Sequence, residues 1–294
     1  MRLLPVLLAF SCLVPAPLAA WGAKGHELVA SAAFRDLPAD LAPWFQDREQ
    51  TLVDHCNDPD HWKDYDPKEG PRHFLDSEAY GGPAAVPRDI KEAETRLGAE
   101  AFQKDGQVTW VIQDRVRSLA DAFRDGDPDQ VALQAAILCH YVGDLSVPLH
   151  TTANYDGEGS GQKGVHRRWE TGLVERLGDW EPEVRTPGLG ADPWSAPWDW
   201  LQSSNALVAG LLQDDLEASG RSRQDRESVY WREFKRRQLP KVKEQLALAG
   251  QRTARMILLA WNLAGSPIDV HGTFSPTETH TSRPGSSTRS GGEG

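Results

Sequence analysis

Residues 130–150, QVALQAAILCHYVGDLSVPLH, contain the clearest pattern in the sequence. Apolar residues recur at three- and four-residue spacing, which predicts an amphipathic helix. His140 and Asp144 are four residues apart, so they lie on the same helical face one turn from each other. Pro148 ends or bends the helix, and His150 therefore leaves the chain in a different direction. Three side chains of metal-binding type thus diverge from one short segment, which a polynuclear metal site requires.

The same helical periodicity dominates the rest of the chain, whereas alternating β-branched residues, which are typical of strands, are nearly absent. The predicted helical segments are residues 26–36, 107–124, 130–145 and 240–264. Stretches rich in Gly, Pro and Asp predict loops at residues 54–72, 152–164 and 179–200. We therefore expect an all-α fold with long helices joined by substantial loops.

The size and charge of the chain limit its possible functions. It has 294 residues, with 32 basic and 43 acidic side chains and a net charge of −11. A single large domain is the default at this length. A basic surface that grips duplex DNA is not expected at this charge. If a phosphate-bearing substrate binds, bound cations must supply the positive field.

Both ends of the chain differ in amino-acid composition from its central part. Residues 1–20 combine Arg2, an apolar stretch and small residues before Trp21, a pattern typical of a secretory signal peptide. Residues 266–294 are rich in Gly, Ser, Thr and Pro and are expected to form a disordered tail. The folded domain is then residues 21–265. We expect a secreted or periplasmic monomer without a stable membrane anchor.

Two cysteines, Cys56 and Cys139, remain after removal of the signal peptide. An oxidising compartment favours a disulfide bond between them. Two separate buried thiols are the alternative, because free cysteines are commonly buried. If the bond forms, it draws the segment around Asp60 toward His140.

Further histidines and carboxylates occur on both sides of the central helix. His166 and Glu170 repeat the four-residue helical spacing, and imidazole with carboxylate is a common zinc ligand set. Upstream, residues 57–63 and 70–76 each hold Asp and His side chains that could complete a four-ligand site with His140 and Asp144. Cleavage after residue 20 would also free an α-amine near His26, from which zinc can displace a proton at modest cost.

These motifs, in this order, resemble the phospholipase C/P1 nuclease superfamily of exported trinuclear zinc phosphodiesterases. They are Trp-Gly-x-x-Gly-His, Asp-x-x-Lys, His-Phe-x-Asp, His-x-x-x-Asp-x-x-x-Pro-x-His and His-x-x-x-Glu, beginning at Trp21, Asp60, His73, His140 and His166. The resemblance implies that superfamily's helical fold and three zinc ions. It also implies a zinc-activated water that attacks phosphorus, with Asp60 orienting this nucleophile as a base.

The resemblance also implies a ligand set for each ion. One ion would be held by Asp60, His73, His140 and Asp144. A second would be held by the amine and carbonyl of Trp21 with His26 and would share Asp144, and the third by His150, His166 and Glu170. Asp58 is an alternative to Asp60, because spacing alone does not distinguish the two.

The resemblance leaves the substrate open between two branches. The five-residue step from Trp21 to His26 is similar to the nuclease branch, whereas Glu170 in place of an aspartate is similar to the phospholipase branch. Phe74 and Asp76 match positions where nucleases stack and hydrogen-bond a base. We expect a nuclease acting on single-stranded DNA or RNA. A phospholipase C and a non-catalytic zinc-binding protein are the alternatives.

Overall fold

A computed structural model describes residues 21–266 apart from 184, 186 and 221–225. The predicted signal peptide and all but the first residue of the predicted tail lie outside these residues. Within them the structure has no β-sheet, only one isolated antiparallel bridge between Leu75 and Gly106. None of the described helices is long and apolar enough to cross a membrane. The predicted all-α fold is confirmed.

The described part of the chain contains twelve α-helices. In chain order they are α1 Gly22–Asp36, α2 Ala42–Phe45, α3 Glu49–His55, α4 Asp58–Trp62, α5 Ile90–Leu97, α6 Ala99–Lys104, α7 Val108–Asp125, α8 Pro128–Leu145, α9 Val165–Arg167, α10 Ala196–Asn205, α11 Val208–Gly220 and α12 Arg226–Leu263. Short 3-10 turns connect several of them, among them Gly70–His73 and Pro148–Thr151. A π-helical turn, Arg168–Gly172, follows α9 directly.

Helix α8 lies at the centre of the fold, and α1, α3, α7 and α12 pack against it. Every residue from Ala135 to Leu145 is buried. Such a helix needs an apolar surface nearly all the way round, and the alanines and aliphatics of this segment supply it. The few polar groups that α8 buries, His140 and Asp144 in particular, must therefore find partners inside the protein.

The ends of α8 follow from local sequence. The Asp127 carboxylate accepts hydrogen bonds from the backbone N–H groups of Asp129 and Gln130, at 3.0 and 3.2 Å. Pro128 occupies the first turn, where no intrahelical donor is needed. The helix ends at Leu145, and Pro148 begins the 3-10 turn that carries His150. The predicted change of direction before His150 is confirmed.

Two segments predicted as loops contain helices. Helix α4 lies within residues 54–72, and α10 begins at Ala196 inside residues 179–200. The prediction treated the prolines of these segments as loop formers. Pro59 and Pro197 instead occupy the first turns of α4 and α10, where proline is compatible with a helix.

Of the two alternatives for Cys56 and Cys139, the structure shows the second, since both are buried free thiols and no disulfide joins them. The Cys56 thiol turns back on its own helix and donates to the carbonyl of Val53 at 3.1 Å. The Cys139 thiol interacts instead with the side chain of Thr253. Burial raises the pKa of Cys139 to about 12, so this thiol stays protonated and unreactive at neutral pH.

Candidate metal centre

Helix α8 presents His140 and Asp144 from its last two turns, and both side chains are fully buried. The His140 ring is oriented by its Nδ1 atom, which lies 2.8 Å from the carbonyl oxygen of Cys56. Because a carbonyl only accepts, Nδ1 carries the proton and donates it. The Nε2 atom therefore faces Asp144 Oδ2, 3.3 Å away, one turn along the helix.

Four side chains come together here. Asp60 belongs to α4, His73 to the 3-10 turn Gly70–His73, and His140 and Asp144 to α8. His140 Nε2 and His73 Nδ1 are 3.0 Å apart. Across the four side chains the measured separations run from 2.8 Å, between His73 Nδ1 and Asp144 Oδ2, to 3.8 Å, between His73 Nδ1 and Asp60 Oδ1. Ligands of a tetrahedral zinc ion, at 2.0–2.1 Å from the metal, are about 3.3 Å from one another. His73, His140 and Asp144 thus have the spacing of ligands to one such ion, and Asp60 Oδ1 lies 3.8 Å from His73 Nδ1 and 3.5 Å from His140 Nε2.

The structure brings Asp60, not Asp58, to this group. Asp60 Oδ1 lies 3.5 Å from His140 Nε2 and pairs with Lys63 Nζ at 2.6 Å. Asp58 is turned away and pairs with His55 at 2.7 Å. The two carboxylates are adjacent in α4 on either side of Pro59, and the helical turn points them in different directions.

A second group consists of His150, His166 and Glu170, all of which are buried. The two Nε2 atoms are 3.0 Å apart, and Glu170 Oε2 lies 2.8 Å from His166 Nε2 and 3.6 Å from His150 Nε2. The His150 ring is fixed by Nδ1, which donates to the carbonyl oxygen of His73 at 2.8 Å. The π-helical turn after α9 keeps Glu170 beside His166, as the four-residue spacing predicts.

His26 of α1 lies beside the first group. Its ring stacks on that of His140 with centroids 4.0 Å apart, and its Nε2 atom is 3.5 Å from Asp144 Oδ1. Gly143 makes this approach possible, because a Cβ atom there would lie 3.1 Å from His26 Nδ1. Trp21 packs alongside and donates from Nε1 to the carbonyl oxygen of Gly143 at 2.7 Å. Trp21 and His26 of the N-terminal motif therefore lie beside the first group.

Several buried polar atoms of this cluster have no hydrogen-bond partner among the described residues. They include both ring nitrogens of His26, Asp144 Oδ1 and His166 Nδ1. A buried polar group without a partner costs about 1–3 kcal/mol, so such a concentration points to a missing binding partner. Imidazole nitrogens with carboxylate oxygens suit zinc, whereas calcium and magnesium prefer oxygen ligands alone. The residues present therefore fit divalent zinc.

The electrostatics of the cluster favour a bound cation. Burial and the neighbouring His140 lower the pKa of His26 to about 3, so this ring is neutral. In spite of burial, His140 lowers the pKa of Asp60 and of Asp144 below the usual value, and both carboxylates stay charged. The same carboxylates outweigh the effect of burial on His140 and raise its pKa to about 10. A bound cation would keep these side chains deprotonated. Without a cation, the same side chains compete with one another for protons.

Sequence reasoning missed two residues behind His73. Glu69 is 3% exposed, and its Oε1 atom lies 3.2 Å from His73 Nε2. The same carboxylate accepts a hydrogen bond from the hydroxyl of Tyr141. A carboxylate that holds the far nitrogen of a metal-binding histidine fixes the ring and increases its basicity. The four-residue spacing from Glu69 to His73 was the available signal in the sequence.

An open cleft of about 440 Å³ lies over the two groups and is bordered by His73, His150 and His166. Its walls also hold the two residues predicted to bind a base, Phe74 and Asp76, together with Lys63, Lys104 and Tyr155. Burial and the nearby Glu78 carboxylate raise the pKa of Asp76 to about 7.

Tyr155 was not predicted as part of the site. It comes from the Gly-rich loop, its ring centroid is 5.9 Å from that of His166, and its side chain is partly exposed. The loop is held by Gln162, whose amide donates to Asp215 at 2.8 Å. The loop therefore borders the cleft and leaves it open.

Comparison with known proteins identifies a protein family for this part of the chain. The model of the S1/P1 nuclease family matches residues 21–173, a range that contains both groups of candidate ligands. Among solved structures, the alpha toxin from Clostridium absonum is 14% identical, with 80% of this chain and 64% of the toxin covered and a TM-score of 0.46. The alpha-toxin of Clostridium perfringens from an avian strain is 12% identical, with 85% and 65% covered and a TM-score of 0.47.

The chain spans slightly less than two thirds of the length of these two toxins. No curated protein matches its sequence.

Proposed function

Since the chain belongs to the S1/P1 nuclease family, we propose that it is a zinc-dependent phosphodiesterase that hydrolyses single-stranded DNA or RNA. The observation that carries the proposal is the convergence of His73, His140 and Asp144 at the separations of zinc ligands, with Asp60 Oδ1 3.5 Å from His140 Nε2. A protein that only needed these groups for stability would satisfy them with hydrogen bonds, and several are left without partners among the described residues.

Three zinc ions are proposed. The four side chains just named would hold the first, and His150, His166 and Glu170 the third. His26, Asp144 and the α-amine and carbonyl of Trp21 would hold the second. This last assignment includes removal of residues 1–20, because only then is the amine free, and it therefore places the mature protein outside the cytoplasm as a secreted or periplasmic enzyme.

Bound zinc supplies Lewis acidity toward phosphate oxygens and lowers the pKa of water toward neutrality. The protein's own side chains orient the water, the metal ligands and the substrate. Asp60 is the least buried of the carboxylates in the first group, so it is the group that can orient the attacking water and accept its proton. Glu69 and Tyr141 hold the His73 ring in place. Lys63 and Lys104, on the cleft wall, attract the phosphates.

We assign substrate selectivity to side chains on the wall of the cleft. Phe74 offers a ring on which a base stacks, an interaction worth about 1–3 kcal/mol per base. Asp76 lies two residues further and presents a carboxyl group for hydrogen bonds to that base. The cleft remains open beside Tyr155, which favours turnover over the alternative of a protein that only sequesters zinc.

The test begins with zinc quantitation by mass spectrometry on the mature protein that starts at Trp21. The same preparation is assayed in parallel on single-stranded DNA, RNA and phosphatidylcholine. We expect bound zinc and hydrolysis of the two nucleic acids. Hydrolysis of phosphatidylcholine alone would replace the nuclease by a phospholipase C, and full zinc occupancy without any hydrolysis would leave only zinc binding.

A further inference from the structure

A second cavity, of about 380 Å³, is lined in part by the 3-10 turn at residues 70–73, which also lines the cleft. Pro71 lines the cleft, whereas the next residue, Arg72, lines this second cavity. The arginines Arg88 and Arg117 and the indole of Trp194 form its other walls. We call this cavity the arginine groove. The turn that presents the candidate ligand His73 to the cleft therefore also contributes Arg72 to the groove.

The arginines of the groove are not balanced by the carboxylates within it. Asp89 caps α5 and accepts a hydrogen bond from the backbone N–H of Glu92 at 2.9 Å. Asp114 pairs with Arg115 at 2.5 Å. Arg117 has no carboxylate partner among the residues that the structure describes. In a chain with a net charge of −11, an exposed guanidinium without such a partner is a distinctive surface feature.

Arg117 is held in place by an aromatic ring rather than by an ion pair. Its guanidinium carbon lies 4.6 Å from the centroid of the Trp194 ring, within the range of a cation–π contact. The position of Trp194 is itself fixed, since its carbonyl oxygen accepts from the Gln113 amide at 3.0 Å. The N–H donors of Arg117 are thus held in a fixed orientation and remain available to hydrogen-bond a ligand.

Arg72 is loosely paired, since it makes one long ion pair with Glu69 and its guanidinium carbon lies 5.7 Å from the centroid of the Tyr141 ring. Its Nε atom is buried and has no hydrogen-bond partner among the described residues. The nearest carboxylate oxygen, Glu69 Oε2, is 3.5 Å away, and Glu69 already contacts His73 and Tyr141. Among the described residues, Arg88 forms an ion pair with Asp192 alone, at 3.3 Å on the exposed surface. Such an ion pair contributes little and is easily exchanged for another anion.

We propose that the arginine groove is a binding site for the sugar–phosphate backbone of single-stranded nucleic acid, one or more nucleotides away from the bond that is cut. Guanidinium groups suit phosphate because their planar N–H forks match its oxygens. The partly exposed indole of Trp194 offers a surface for base stacking, which tolerates any sequence. This inference rests on the proposed function and deepens it, because phosphatidylcholine has no second phosphodiester to place in the groove.

The groove also accounts for how an acidic protein binds a polyanion. A net charge of −11 repels a nucleic acid strand at long range. Oriented guanidinium groups beside the cleft provide local attraction that the overall charge does not. Substrates that extend past the cleft should therefore bind more tightly than those that fill the cleft alone.

The test compares Arg117→Gln and Trp194→Ala with Arg236→Gln, which removes the same charge from an exposed site on α12 where Arg236 pairs with Glu233 at 3.2 Å. The zinc-loaded proteins hydrolyse a single-stranded 20-mer and bis(p-nitrophenyl) phosphate, which holds only one phosphodiester. We expect KM for the 20-mer to rise about threefold or more in the two groove variants. Hydrolysis of the small substrate should match that of Arg236→Gln in each case.

Equal KM values for the 20-mer in Arg117→Gln and Arg236→Gln would overturn the groove while leaving the proposed function intact. A parallel loss on both substrates would also overturn it, because the effect would then lie at the metal centre. If wild-type protein cleaves neither substrate, the proposed function fails. Fluorescence anisotropy with a labelled dT 20-mer then decides the groove, which requires weaker binding by Arg117→Gln than by Arg236→Gln.

Discussion

The Nδ1 atom of His73 and the Nε2 atom of His140 lie 3.0 Å apart in the interior of the protein, each beside the carboxylate of Asp144. Each ring uses its other nitrogen toward a protein acceptor: Cys56 O for His140 and Glu69 Oε1 for His73. The two rings are nearly perpendicular, at an interplanar angle of 88°, and their facing nitrogens converge beside Asp144, where an ion can bind.

Replacing Glu69 by Gln should weaken zinc binding about 10- to 100-fold, the range observed when a carboxylate behind a zinc-binding histidine is lost. Glutamine keeps the size of the side chain but removes the charge that increases the basicity of His73. The measurement is zinc affinity by competition with a chromogenic chelator. Glu175→Gln, at an exposed position, is the control. An unchanged affinity in Glu69→Gln would show that Glu69 serves stability alone.

An extra residue before Trp21 should lower activity and zinc content. The extension converts the α-amine of Trp21 into an amide, which does not bind zinc at neutral pH. Zinc per protein chain and turnover are measured on proteins that start at Trp21 and at an added Ala. Equal zinc content in the two proteins would contradict the second proposed site without affecting the other two.

Phe74→Ala should raise KM for a dinucleotide by at least about fivefold, because it removes a stacking surface worth about 1–3 kcal/mol. Hydrolysis of bis(p-nitrophenyl) phosphate should change much less, since that substrate lacks a base. Steady-state kinetics on both substrates provide the measurement. A phospholipase C would show no dinucleotide activity to lose, and the comparison would then fail at its first step.

Asp36 makes the stability of the fold depend on pH. The side chain is 2% exposed, and burial raises its pKa from 3.8 to about 6 even though the backbone N–H of Arg185 donates to it. Because the folded protein binds this proton more tightly than the unfolded chain, the stabilisation is present below about pH 4. It is lost as the pH rises through about 6, by up to about 3 kcal/mol.

Asp36→Asn removes this titration. Relative to wild type, the variant should therefore be more stable at pH 8 than at pH 4, by up to about 3 kcal/mol. Urea unfolding of variant and wild type at the two pH values measures the difference and cancels contributions from other groups. The exposed Asp40→Asn serves as control. If the free energy of unfolding of Asp36→Asn differs from that of wild type by the same amount at both pH values, the Asp36 carboxyl is not buried as described.

Local pattern was sufficient to predict the central helix and most of the candidate ligands. Helical spacing placed His140 beside Asp144 and His166 beside Glu170, and proline chemistry placed His150 beyond a turn. These are relationships within one turn or two of chain, where backbone geometry alone decides which side chains are neighbours.

Relationships across the fold were harder to predict. The choice between Asp58 and Asp60 depends on how α4 is rotated against α8, which spacing does not encode. Tyr155 reaches the cleft only because its loop is tied down through Asp215, 60 residues later in the chain. The cysteines show the same limit, since their number does not decide whether two thiols bond, and both are free in the fold.

The central claim is tested most directly by zinc content and phosphodiesterase activity of His140→Ala, measured on one preparation beside wild type. His61→Ala, which removes an exposed histidine, is the matched control. We predict that His140→Ala loses about one zinc ion or more per chain and hydrolyses neither single-stranded DNA nor bis(p-nitrophenyl) phosphate, while His61→Ala keeps both properties. Normal zinc content with full activity in His140→Ala would contradict the account.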